Sequence, residues 1–141
     1  MRRSAALAIL SRDHHQALFV AHRLRRADAQ TAAVQRARFL DFWEREGRHH
    51  FQLEEELLLP AFAEYGDAYH PLLLRVLGDH VSIRAQANRL TAQPDAGTEL
   101  LERLGTALAT HVRLEERELF PLIEETIPPA ELLELAHALA L

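Results

Sequence analysis

At 141 residues the chain has the length of one domain, and with 48% hydrophobic residues it can bury a core without covalent staples. It has no Cys, which removes disulfides, thiolate catalysis, Cys-held zinc and iron–sulfur clusters together. Net charge is −5, yet residues 1–38 carry eight Arg against two acids while residues 39–141 carry eight Arg against nineteen. In a net acidic chain, that basic opening reads as a first helix packed beside acidic ones, not as a nucleic-acid or membrane surface. No apolar run nears the ~18 residues of a membrane span. Met1-Arg2-Arg3 precedes a six-residue apolar stretch, Ala5 to Leu10, with no cleavage site after it, so the expected address is the cytoplasm.

Breakers are few, with five Gly and six Pro, and strand-type alternation is absent. A first helix is expected from Ser4 or Ser11 to about Ala27, and a second from about Thr31 to Ala63. The third begins near Pro71, a natural first-turn residue, and ends near Gln93-Pro94. The fourth has Thr98 as candidate N-cap and reaches about Glu125. Pro128-Pro129 then opens a short fifth helix carrying Leu132, Leu133 and Leu135. Connections are short, so neighbours should run antiparallel. The expected architecture is all-α: one domain over residues 1–141, an up-down-up-down four-helix bundle with a short capping helix at about residues 128–140.

Written as heptads, the core stripes contain polar residues at mid-length. Helix 2 gives Leu40, Trp43, Gly47, His50, Glu54, Leu57 and Ala61; helix 3 gives Leu73, Val76, His80, Ile83, Ala87 and Leu90. Helix 4 gives Leu101, Leu104, Leu108, His111, Glu115 and Leu122, with Glu118 interrupting. Burying an unpaired ionisable group costs several kcal/mol, so these positions must satisfy one another or a cation.

An internal repeat sharpens the point. Residues 50–60 match residues 111–121 at an offset of 61, with six of eleven positions identical, including His50/His111, Glu54/Glu115 and Pro60/Pro121. His15-Gln16-Ala17-Leu18 echoes His80-Val81-Ser82-Ile83 more faintly, at an offset of 65. Each half is then a helix hairpin giving one His and one His-x-x-x-Glu. Residues at i and i+4 share a helix face, so His50 with Glu54, and His111 with Glu115, can each grip one cation. A carboxylate has two oxygens and can bridge two cations. Imidazole and carboxylate without thiolate suit iron, manganese or zinc, and donor sets with open positions suit redox-active iron best.

At these residues the sequence resembles the bacterial hemerythrin-like (HHE cation-binding) branch of the hemerythrin family, over about residues 10–125. The motifs are His15-x-x-Leu18-Phe19, His50-Phe51-Gln52-x-Glu54, the single His80 of helix 3, and His111-x-x-x-Glu115-Glu116 running into Leu119-Phe120-Pro121. The resemblance implies an oxo- or hydroxo-bridged pair of Fe ions inside the bundle, bridged by Glu54 and one Glu of helix 4. His15, His50, His80 and His111 would be terminal ligands. Its members bind dioxygen reversibly or use the centre to sense oxygen, nitric oxide or iron status. A small diatomic ligand or peroxide is therefore the expected partner, with any signal leaving through an oligomer surface or a partner protein.

Three features depart from the pattern. Oxygen-carrying members have a His-x-x-x-His pair on helix 3, where this chain has Arg84 after His80 and Val76 before it. They also place an acid five residues after the last His, which here is Glu116, whereas the heptad favours Glu115. On helix 1 the family spacing selects His15, but the apolar stripe Leu7, Leu10, Ala17, Ala21, Leu24 points to His14. His22 is a candidate lining residue, while His49, His70 and His137 have ordinary surface or capping explanations. The alternatives are a ferritin-like oxidase or peroxidase, for which Glu46-x-x-His49 and Glu134-x-x-His137 supply the Glu-x-x-His pairs, and a metal-free bundle of His–Glu pairs.

Overall fold

The computed structural model describes residues 3–141, so Met1 and Arg2 of the basic opening lie outside the described residues. Helix α1 (Ala5–Arg25) starts at Ser4, whose hydroxyl accepts a hydrogen bond from the Leu7 N–H. Helix α2 is continuous over residues 32–63, but it is α-helical only in pieces: Ala32–Phe42, Arg48–Leu53 and Leu59–Ala63. Two π turns, Trp43–Gly47 and Glu54–Leu58, join them. Helix α3 (Pro71–Ala92) is capped by His70, whose Nδ1 accepts from the Leu72 N–H at 3.0 Å. Helix α4 covers residues 98–126 as Thr98–Leu114, a π turn at Glu115–Leu119, and Phe120–Thr126. Gly97 rather than Thr98 holds its cap position. Helix α5 (Pro129–Ala140) follows Pro128.

The π turns correct the heptad reading. Each closes a hydrogen bond across five residues, Arg48 to Trp43, Leu59 to Glu54 and Phe120 to Glu115, so one extra residue enters the helix. Everything beyond is displaced round the axis by one position. The buried residues after Glu54 are Leu58, Leu59 and Phe62, not Leu57 and Ala61. After Glu115 they are Leu119, Phe120 and Ile123, not Leu122, and Glu118 is exposed. Upstream of Trp43–Gly47, Phe39 and Phe42 are buried and Leu40 only partly so. Helix α3 has no such turn, and its six expected core positions are the ones buried.

Helix α1 packs most extensively on α4, and α3 packs on α4 from the other side. A Cβ on Gly105 would lie 2.7 Å from the Ala21 carbonyl oxygen, so α1 and α4 approach as closely as they do because that side chain is missing. The four-helix bundle has two apolar clusters. One gathers Val20, Leu24, Phe39, Trp43, Ile83 and Leu104; the other gathers Leu7, Leu10, Leu58, Phe62, Val76 and Phe120 and is closed by Leu132, Leu135 and Leu139 of α5. Between them lies a polar layer of buried His and Glu. Among the described residues, no helix is long and apolar enough to cross a membrane.

Candidate metal centre

The polar layer takes one His from each long helix and one Glu from each of α2 and α4. His14, His50, His80 and His111 are at most 7% exposed, and Glu54 and Glu115 are fully buried. They form two groups, His14–His50–Glu54–Glu115 and Glu54–His80–His111–Glu115, and in each the donor atoms lie within 4.8 Å of one another. Both carboxylates belong to both groups. His50 Nε2 is 3.1 Å from Glu54 Oε2, and His80 Nε2 is 3.0 Å from Glu54 Oε1. His111 Nε2 is 3.1 Å from Glu115 Oε2, and His14 Nε2 is 2.8 Å from Glu115 Oε1.

An outer ring of carboxylates faces the other nitrogen of each imidazole. Nδ1 of His50 meets Asp13 at 2.9 Å and that of His111 meets Asp79 at 3.1 Å. Nδ1 of His80 meets Glu55 at 2.7 Å and that of His14 meets Glu116 at 2.6 Å. The arrangement repeats between the halves: Asp13-His14 on α1 corresponds to Asp79-His80 on α3, and Glu54-Glu55 on α2 to Glu115-Glu116 on α4. An outer carboxylate that accepts the Nδ1 proton fixes the tautomer with the Nε2 lone pair directed inward and raises its basicity. Beyond the ring, Arg84 reaches Glu55 at 3.1 Å and Ser11 donates to Glu116 at 2.7 Å.

Charge follows the same pattern. Burial pulls the His111 imidazolium down, but the Glu115 charge and the hydrogen bond to Asp79 outweigh it and push the group up to about 10. His50 is likewise raised well above its ordinary value, burial being overcome by Glu54, Asp13 and Glu115. Burial of Glu115 is outweighed by the His111 charge, the hydrogen bond from His14 and the nearby His50, which hold its carboxyl well below the usual range. Six atoms at the centre nonetheless make no hydrogen bond: Nε2 of His50, His80 and His111, both oxygens of Glu54, and Glu115 Oε2. They are close enough but misaligned, which is how donor atoms look when they point at a common third party. Buried polar groups left unpaired cost about 1–3 kcal/mol each, so this concentration fits a bound cation and not a self-satisfied core.

Several expected residues lie elsewhere. His15, which the family spacing selects, is exposed, while His14 sits in the cluster. Adjacent residues of a helix are about 100° apart, so only one of the pair can face the core, and the apolar stripe indicates which. Glu116, with its side chain 32% exposed, stands in the outer ring instead of the centre. The offset of 65 that paired His15 with His80 is one residue short, because His14 pairs with His80 at 66. His22, His49, Glu46, Glu134 and His137 are all exposed, so neither Glu-x-x-His pair reaches the core. The outer Asp13, Asp79 and Glu55 are absent from the sequence-based set; the repeated Asp-His dipeptide is the signal that could have found two of them.

The centre is not symmetric in its surroundings. A small pocket of about 20 Å³ opens beside His14, His50 and His111, walled by Ala17, Trp43, Phe51, Leu108 and Val112. That is room for about one water-sized molecule. Gly47, which occupies the heptad slot that Leu108 fills in the other half, lines the pocket; a Cβ there would stand 2.6 Å from Trp43 Cε3, so the missing side chain lets the indole lie close over the helix. The Trp43–Gly47 π turn forms this wall, and α4 has no counterpart to it.

Neither a search of curated proteins nor one of solved structures returns a match. A family model does: the hemerythrin HHE cation binding domain matches residues 5–123, a span that contains α1 to α3, α4 except its last three residues, and both halves of the His–Glu layer. The chain belongs to the hemerythrin HHE cation-binding family.

Proposed function

We propose that this protein holds two iron ions and binds dioxygen or a related small diatomic ligand beside them. The observation that carries the reading is the set of six buried donor atoms without hydrogen-bond partners, convergent on one layer. His14 and His50 would hold one ion and His80 and His111 the other, and Glu54 and Glu115 would each offer one of their two oxygens to each ion. All donors are nitrogen or oxygen, and two imidazoles with two carboxylate oxygens leave room for exogenous ligands, which favours redox-active iron over a closed structural site. When bound, the pair supplies electrons and open coordination positions for a diatomic molecule.

The chain's own contribution is orientation, exclusion and placement. Asp13, Glu55, Asp79 and Glu116 accept the Nδ1 protons and keep all four imidazoles turned inward. The two apolar clusters on either side keep bulk water from the layer. The pocket at Gly47 gives a water-sized apolar space beside His14, His50 and His111 and away from His80, so the ligand is expected there. Phe51, which also walls the pocket, lies flat on His80 with ring centroids 3.8 Å apart.

The test is metal analysis with an optical spectrum, with and without oxygen. Protein reconstituted with ferrous iron should carry about two iron per chain and develop the absorption of a bridged ferric pair in air. A preparation that binds one ion or none, or that stays colourless in air, would overturn the proposal.

A further inference from the structure

A pocket of one-molecule size is useful only if a ligand can reach it, and the surface above it is not uniform. Between α1 and α2 lies an open cleft of about 270 Å³. Phe19 and Val20 line it from α1, and Phe42 and Glu46 from α2. Phe42 and Glu46 also line the inner pocket, and they are the only residues common to both. Phe42 is 8% exposed and directly precedes the Trp43–Gly47 π turn, which carries Glu46. Glu46 is exposed and makes no ion pair among the described residues, so no salt bridge pins it. The partition between solvent and the centre is therefore one aromatic ring and one unanchored carboxylate deep. Elsewhere the wall includes Phe51, Leu108 and Val112, each at most 3% exposed, and Asp13, which is exposed but, unlike Glu46, is held by its hydrogen bond from His50.

Resting on the function proposed above, we infer that small apolar ligands enter through this cleft, between the side chains of Phe42 and Glu46. These two residues then set what passes. The mouth of the cleft is polar, with Arg23, Arg38, Asp41 and Arg45 on its rim, but the step past Phe42 to Ala17 and Trp43 is apolar. A weakly hydrated diatomic molecule crosses that step with little desolvation cost, whereas an anion drawn to the rim must shed its water and pass the Glu46 carboxylate. Side-chain rotamer motion on the ps–ns scale suffices to open such a partition without moving a helix. Phe42 and Glu46 act on passage and not on affinity, because neither donates to the metal layer.

Trp43 makes this testable without any metal: it is the only Trp of the chain, it is 5% exposed, and it lines the inner pocket. In the metal-free protein, dioxygen is expected to quench Trp43 fluorescence while iodide does not. Phe42→Leu and Glu46→Ala should each raise the dioxygen quenching rate, and Arg103→Ala, on the far side of the bundle, should not. In ferrous-loaded protein the same two variants should raise association and dissociation of nitric oxide together by about tenfold, the effect of removing ~1.4 kcal/mol from the barrier, with an unchanged ratio. Glu46 is on the surface, so its variant keeps the test valid if Phe42→Leu unfolds the bundle. Quenching unchanged in both variants overturns the route, whatever the iron binds. A changed ratio at an unchanged association rate also overturns it, since the residues would then belong to the binding site. Raised quenching in a loaded protein that binds no diatomic ligand supports the route and refutes the function on which it was built.

Discussion

The outer carboxylates offer the sharpest quantitative test, because the structure ranks two equivalent positions. Asp79 accepts from His111 Nδ1 at 3.1 Å with its side chain 25% exposed, and Asp13 accepts from His50 Nδ1 at 2.9 Å with its side chain 47% exposed. Asp79 is held below the usual carboxylate range: burial pushes it up, but the His111 bond and charge and the Arg75 guanidinium more than compensate. Replacing such a partner typically costs 10–100-fold in metal affinity, or about 1.4–2.8 kcal/mol. Asp79→Asn keeps an oxygen that can accept from Nδ1, so it removes charge while preserving the orientation of the ring. Its cost is expected at the upper end of that range. Asp13→Asn, where water already screens the carboxylate, is expected at the lower end. Asp79→Ala loses both charge and orientation and should cost more than either. Titration of the metal-free variants with ferrous iron or zinc against a competing chelator measures all three. The reasoning fails if Asp79→Asn and Asp79→Ala bind as the parent does, or if Asp13→Asn is the costlier of the two Asn variants.

Further outcomes follow from the same geometry. His14→Ala should lower the iron load measured by elemental analysis, and His15→Ala should leave it intact; equal losses would mean the wrong residue of the pair has been assigned. Metal must displace protons from His50 and His111, so affinity in a competition titration should rise with pH as far as about 10, and a flat profile would remove the protonated imidazoles from the picture. For the metal-free bundle the sign is opposite. The stabilisation from His111 is complete below its ordinary value of 6.5 and is lost as pH rises towards about 10, so the melting temperature of metal-free protein should fall over that interval. The contribution of Glu115 is present above 4.5 and is lost on acidification below it. Leu58→Ala should cost about 2–5 kcal/mol in urea unfolding, as burial of a whole Leu implies. Leu57→Ala should cost distinctly less, and the reverse order would restore the uninterrupted heptad.

What the sequence makes legible, and what it does not, has a common physical origin. Helix existence, the antiparallel bundle and the polar interruptions at His50, Glu54, His80, His111 and Glu115 all follow from side-chain periodicity, which a linear string records. A π turn leaves almost no such record. It is selected by the surroundings, because bonding Leu59 to Glu54 and Phe120 to Glu115 lets a Glu and the apolar residues beyond it face inward together. A strict heptad would instead bring Glu118 into the core one turn after Glu115, and the π turn spares it that cost. The conflict on helix α1, which has no π turn, has another cause. The family spacing counts from an apolar pair, Leu18-Phe19, yet Phe19 is 53% exposed and lines the outer cleft, so it is no marker of the buried face. The stripe through Leu7, Leu10 and Ala17 registers burial directly and selects His14. Aligning the halves on that choice makes Asp13-His14 coincide with Asp79-His80, and the outer ring becomes visible as a repeat of pairs, Asp-His then Glu-Glu, not as a scatter of surface acids. The pocket departs from the repeat. It arises where Gly47 stands opposite Leu108 and where α2 has a π turn that α4 lacks. The repeated residues thus account for a layer that fits cations, and on the function proposed above the unrepeated ones would leave one side of it from which a ligand approaches.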